Sequence, residues 1–135
     1  HSMAKKLLLI SHGYFCEELK KSTEMIMGPQ ENIDSLPLLP EESPDDFRRK
    51  FEEKVTELGD VIVLADLMGG TPCNVASRLV MEGAQFDLYS GMNMPMVIGF
   101  LNGVLLDEEV DLVSFGATNI HHVNSLISTL EDEDE

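Results

Sequence analysis

The chain has 135 residues and a formal net charge of −16, from 9 basic and 25 acidic side chains, a size that buries one substantial core without disulfides. So acidic a surface repels polyanions, which excludes nucleic acid and an anionic membrane surface as direct partners and favours basic protein partners. Two cysteines, Cys16 and Cys73, provide neither a disulfide framework nor metal-ligand spacing, and with no membrane-length apolar segment the expected compartment is the cytoplasm.

His1-Ser2 ahead of Met3 reads as a cloning leftover, and residues 3–130 read as a single domain. The run Leu7-Leu8-Leu9-Ile10 is too short for a membrane span and ends abruptly in Ser11-His12-Gly13. It predicts a buried strand that delivers His12 at its carboxyl end. Cys16, Leu19, Thr23, Ile26 and Met27 then recur at helical spacing, with Gly28-Pro29 as a stop. A short strand over 32–38 closes at Pro40. Ser43-Pro44-Asp45-Asp46 supplies a capping residue, a proline at the first helical position and acids for the positive end of the helix dipole. Phe47, Phe51, Val55 and Leu58 line one face of that helix, and Gly59 ends it.

A second buried run, Val61-Ile62-Val63-Leu64-Ala65, ends in Asp66 and Leu67-Met68-Gly69-Gly70-Thr71-Pro72. Thr71 is expected to cap a helix opened by Pro72 and running through Val75, Ala76, Leu79 and Val80 to Gly83. A fourth strand over 86–90 leads through Gly91-Met92-Asn93-Met94-Pro95 into a short apolar helix to about Leu101. Residues 108–115 read as helical, 120–127 fit a helix or a strand equally well, and the acidic run 131–135 reads as a solvated, disordered tail. The alternation predicts an α/β fold, an open parallel four-stranded sheet of order 2-1-3-4 with helices on both faces and a site at its switch point.

Two helix amino termini, after Gly13 and after Thr71, are expected beside one cleft, each with unpaired N–H groups suited to an anion. Gly69 and Gly70 allow the backbone to wrap a phosphoryl group, and Thr71 adds a hydroxyl. Asp66 would hold one imidazole nitrogen of His12 as N–H and leave the other free as a nucleophile. With no P-loop and no metal cluster, phosphoryl transfer onto His12 and off again is the simplest chemistry, requiring neither metal nor cofactor. A cysteine phosphatase loop fails, because Leu79 stands six residues after Cys73 and Arg78 is one position early. A response-regulator receiver fails too, since Ser11-His12-Gly13 replaces the acidic pair that would hold Mg²⁺. The adjacent His121 and His122 suit no shared metal and read as structural or interfacial.

Ser11-His12-Gly13, Glu24-Met25-Ile26-Met27-Gly28, the stretch from Asp66 to Asn74 and Gly91-Met92-Asn93-Met94-Pro95-Met96 together resemble the IIA component of the mannose family of the bacterial phosphoenolpyruvate-dependent sugar phosphotransferase system. The resemblance implies that His12 accepts a phosphoryl group from the carrier HPr and passes it to a IIB component, that Asp66 orients the histidine, and that Gly13, Gly69, Gly70 and Thr71 hold the phosphoryl group. It also implies a free-standing cytoplasmic subunit, peripheral to the membrane through the IIC/IID permease, and a homodimer with residues 120–126 as an exchanged strand. The related phosphoryl donor of dihydroxyacetone kinase shares the histidine strand but lacks Gly-Gly-Thr-Pro after the aspartate. A regulatory domain that signals through phosphorylated His12 is the alternative from a different class.

Overall fold

The computed structural model describes residues 5–134, so the cloning leftover expected at His1-Ser2 and the terminal Glu135 lie outside it. Four strands, β1 (Lys6–His12), β2 (Ile33–Leu38), β3 (Val61–Ala65) and β4 (Asp87–Tyr89), form one parallel sheet of order β2-β1-β3-β4. Helices α1 (Phe15–Met27), α2 (Pro44–Leu58) and α3 (Thr71–Met81) make the crossovers, and α4 (Met94–Leu106), α5 (Leu112–Thr118) and α6 (Val123–Asp134) follow β4.

Strand side chains alternate between the two faces, and that alternation sorts the core into two layers. Leu8 and Ile10 of β1, with Val61, Val63 and Ala65 of β3, pack against Phe47 and Phe51 of α2 and against Ala76 and Leu79 of α3. Leu7 and Leu9, with Leu64, face the opposite way against Cys16 and Leu19 of α1 and Met96, Val97 and Phe100 of α4. Leu7 through Ile10 are fully buried, as a central strand covered on both faces must be. The expected capping box at α2 is present: Ser43 Oγ accepts from Asp46 N–H at 3.1 Å and Asp46 Oδ2 accepts from Ser43 N–H at 3.0 Å.

Several boundaries differ from expectation. The fourth strand is only Asp87–Tyr89, and the apolar helix runs on to Leu106. The helix expected over 108–115 is displaced to Leu112–Thr118, because Asp111 Oδ1 accepts from Ser114 N–H and fixes its start. Gly99 of α4 and Gly116 of α5 then permit close approach, since a Cβ at either would meet Phe115 or Met96 at 3.0 Å or less. Residues 120–126 are not a strand: 120–122 are irregular and α6 begins at Val123. Of the acidic run expected as a tail, residues 131–134 continue α6, which ends at Asp134, and Glu135 lies outside the described residues. Thr71 does not cap α3 but is its first residue, with Gly70 in the capping position.

Phe51 is fully buried, 6.1 Å from the Phe47 ring and edge-on to Phe86 at 5.5 Å. Phe51→Ala is expected to cost about 3–5 kcal/mol, seen in urea titration as a lower midpoint at unchanged slope. A loss below about 1 kcal/mol would mean that this layer of the core collapses around the gap.

Candidate functional site

His12 closes β1 and Asp66 follows β3, whose last residue, Ala65, pairs with Ile10. The register therefore sets the carboxylate beside the histidine, at the carboxyl end of the sheet where open α/β folds place their sites. Asp66 Oδ2 accepts two hydrogen bonds from the same residue, one from the His12 main-chain N–H at 2.9 Å and one from Nδ1 of its ring at 2.7 Å. Oδ1 accepts from the Leu67 N–H at 2.9 Å. Partial burial pushes the Asp66 carboxyl up, but the donors from His12 and Leu67 outweigh it and hold the group below its ordinary value. It is a carboxylate at neutral pH and acts only as an acceptor, so the Nδ1 facing it carries the proton.

The other ring nitrogen looks towards the glycine loop. A Cβ built on Gly70 would lie 2.5 Å from His12 Cε1 and 3.1 Å from Nε2, so only glycine lets the loop approach the ring this closely. Gly70 has an ordinary φ of −90°, and its requirement is space; Gly69, at φ +91°, meets a conformational one. Asn74 Nδ2 donates to the Gly69 carbonyl at 3.3 Å and ties the loop to the first turn of α3. Asn74 N–H is taken by Gly70 and Pro72 has none, which leaves the Thr71 and Cys73 N–H groups as the unpaired donors of that turn.

On the other side of the histidine, Gly13 turns the chain at φ +56° and donates its N–H to Leu38 of β2. Ser11 is fully buried; its hydroxyl donates to the Gly13 carbonyl at 2.9 Å and accepts from Cys16 N–H at 2.9 Å. The start of α1 therefore locks the histidine turn, and that N–H is spent on the serine. Sequence reasoning gave neither Ser11 nor Asn74 a part. The available signal was weak: a serine five residues ahead of a helical cysteine, and an asparagine in the first turn after a glycine pair.

All the expected site residues, His12, Gly13, Asp66, Gly69, Gly70 and Thr71, lie at this end of the sheet, and His121 and His122 are exposed on the far C-terminal segment. The His12 side chain is 49% exposed and that of Asp66 12%, so the carboxylate is sheltered while the ring stays open to solvent. Around it Tyr14, Phe15, Leu67 and Met68 expose large apolar side chains. A half-open imidazole with its Nδ1 proton fixed, its Nε2 free and a glycine loop alongside has the geometry a nucleophile for an anionic group requires.

Residues 6–113 match the family model of the PTS system fructose IIA component, PTS being the sugar phosphotransferase system. The mannose-specific EIIAB component of Escherichia coli K12 is 31% identical over 99 residues, covering 71% of this chain but only 31% of that protein. The fructose-specific EIIA component of Bacillus subtilis is 28% identical over 99 residues, covering 71% of this chain and 68% of that one. Among solved structures, the PTS IIA protein associated with the fucose utilization operon of Streptococcus pneumoniae superposes with a TM-score of 0.84 at 28% identity, over 93% of this chain and 98% of that chain.

With the ring neutral, long-range ¹H–¹⁵N spectra should show the His12 proton on Nδ1, and Asp66→Asn should convert this single tautomer into a mixture. A proton on Nε2 in the unmutated protein would contradict the acceptor role of Asp66.

Proposed function

This chain belongs to the family of PTS system fructose IIA components, and we propose that it works there as a phosphoryl carrier, taking the group from phosphorylated HPr onto Nε2 of His12 and yielding it to a IIB component. The observation that supports this most directly is the paired hold of Asp66 Oδ2 on the His12 main chain and Nδ1, which directs the free nitrogen to the Gly70 loop.

In the transfer step a bond forms between phosphorus and Nε2 as the bond from phosphorus to the donor breaks. Nδ1 keeps its proton, so the phosphorylated ring is cationic until the group leaves, and the Asp66 carboxylate offsets that charge. The Thr71 hydroxyl, with the N–H groups of Thr71 and Cys73, would hold phosphoryl oxygens, and Gly13 and Gly69 shape the turns on either side. The exposed ring of Tyr14, Phe15, Leu67 and Met68 suits a protein partner that covers the site during transfer. Among the described residues no helix is long and apolar enough to cross a membrane, and the carrier would reach IIC and IID only through IIB, from the cytoplasm.

The same reading includes a homodimer. Helix α6 exposes Val123, Leu126, Ile127 and Leu130 on one face at 48–59%, and a 12-residue helix without a partner is marginal in water. A second copy would cover this face through a helical contact rather than an exchanged strand.

Incubation with phosphoenolpyruvate, enzyme I and HPr should add one acid-labile phosphoryl group at His12, and a chase with IIB should remove it; a label that IIB cannot remove would mark a signalling domain instead. Asp66→Asn is expected to slow single-turnover transfer by about 10²-fold or more, with Thr71→Ala costing less because the backbone donors remain. Transfer by Asp66→Asn at the unmutated rate would reduce Asp66 to a structural cap. Sedimentation should give a dimer that Leu126→Asp/Leu130→Asp reduces to a monomer, and a monomeric unmutated protein at tens of micromolar would reject the dimer.

A further inference from the structure

Cations are scarce in this chain, and nearly all are committed. Of the nine basic side chains, seven hold a carboxylate in an ion pair. Among the described residues the other two are Lys6, at the amino end of β1, and Arg78, in the last turn of α3. Glu82, one turn beyond Arg78, gives its two oxygens to Arg48, at 2.6 and 3.4 Å. Among the described residues the Arg78 fork therefore has no carboxylate in an ion pair, and Glu82 acts on it only from a distance.

Its position gives that vacancy a direction. Pro44, Asp45 and Arg48 of α2 and Thr71, Asn74 and Arg78 of α3 line a surface groove of about 370 Å³. Thr71, Asn74 and Arg78 stand at helical i, i+3, i+7 spacing, so they form one stripe that begins at the phosphoryl-holding end of α3 and ends at the arginine. The seven-residue separation is about 10 Å along the axis, beyond the Debye length of about 8 Å at physiological salt. At that range Arg78 has little field on a phosphoryl group at His12, and its influence has to come through contact.

We propose that Arg78 receives a carboxylate of the protein that delivers the phosphoryl group, seated in the groove between α2 and α3. The inference rests on the phosphoryl-carrier reading and adds a docking residue outside the transfer chemistry. The donor is the occupant favoured by charge. An otherwise neutral donor arrives with a phosphoryl dianion still aboard and meets a surface of −16, whereas an otherwise neutral acceptor arrives with none. A guanidinium presents a rigid fork matched to a carboxylate, and the contact places the donor's phosphoryl group over the other end of the same stripe.

The experiment uses the full chain with HPr and IIB. Arg78→Ala should raise KM for phosphorylated HPr about tenfold and leave kcat within about twofold, with the melting temperature unchanged and Arg78→Lys recovering part of the loss. KM for transfer onward to IIB should stay within about twofold. Calorimetric binding of unphosphorylated HPr should weaken by the same factor as KM, and because it needs no transfer it separates the two ideas. Weakened binding without label on His12 would remove the carrier reading and leave the docking residue standing. An unchanged KM and affinity for HPr, or an equal rise towards both partners, would overturn the proposal.

Discussion

One carboxylate oxygen holds the site together. Asp66 Oδ2 accepts from the main chain and the side chain of His12 at once, and so constrains where the residue sits as well as how its ring is turned. Neither bond alone would suffice. A main-chain bond would leave the ring free to rotate, and a ring bond alone would leave His12 held to β2 through Leu38 but not to the β3 side, where the last pairing is at Ile10. Bound to both, the carboxylate also fixes the tautomer, and with it which nitrogen has a lone pair to offer. The sharing is possible because β1 and β3 are parallel neighbours that end one beside the other, which is the geometric content of a switch point.

The rest of the local structure keeps that nitrogen approachable. The nucleophile proposed here would have to stand out of the surface to meet a protein-borne group, and the histidine side chain is half exposed; a side chain so placed is ordinarily mobile. Here order comes from below. Ser11, fully buried, joins the Gly13 carbonyl to the Cys16 N–H, and the absent Cβ of Gly70 lets the opposite loop close on the ring. Asn74 ties that loop to its helix. None of these groups is a nucleophile, and each removes a freedom that the exposed ring would otherwise have.

The strands and the placement of His12 beside Asp66 were legible in the sequence for the same reason. Leu7 to Ile10 and Val61 to Ala65 are apolar without interruption because both sheet faces are covered, and a polar residue that ends such a run is at the edge of the core by necessity. His12 and Asp66 announced themselves in this way, and strand adjacency did the rest. What could not be read depended on contacts between elements distant in sequence, or on a choice between near-equal caps. Asp111 moved the start of α5 past the acidic residues 107–109, and Gly99 and Gly116 acquire their meaning only when α4 and α5 touch. Thr71 has the better capping side chain, yet Gly70 takes the extended cap conformation because the loop must approach His12 there. For 120–127 the period was ambiguous, and the segment is exposed on every side within a single chain, so the body supplies no packing to decide between helix and strand.

Exposure has an electrostatic consequence that bears on when the pair matters most. Two unit charges 4 Å apart are worth about 1 kcal/mol in bulk water and about 4 kcal/mol at an effective dielectric constant near 20. With the site open, Asp66 would therefore stabilise the cationic phosphorylated ring of the proposed carrier only modestly. Covering Tyr14, Phe15, Leu67 and Met68 with a partner expels water and lowers the local dielectric, which strengthens the attraction between Asp66 and the cationic ring several-fold, while the Asp66 oxygens retain their three hydrogen bonds. The carboxylate pays little further desolvation, being already 12% exposed. In the carrier role proposed above, a docked partner would therefore strengthen the hold of Asp66 on a cationic ring, in the complex with the donor and in that with the acceptor alike. With the histidine open and its aspartate sheltered, the change on docking would fall on the ring rather than on the carboxylate.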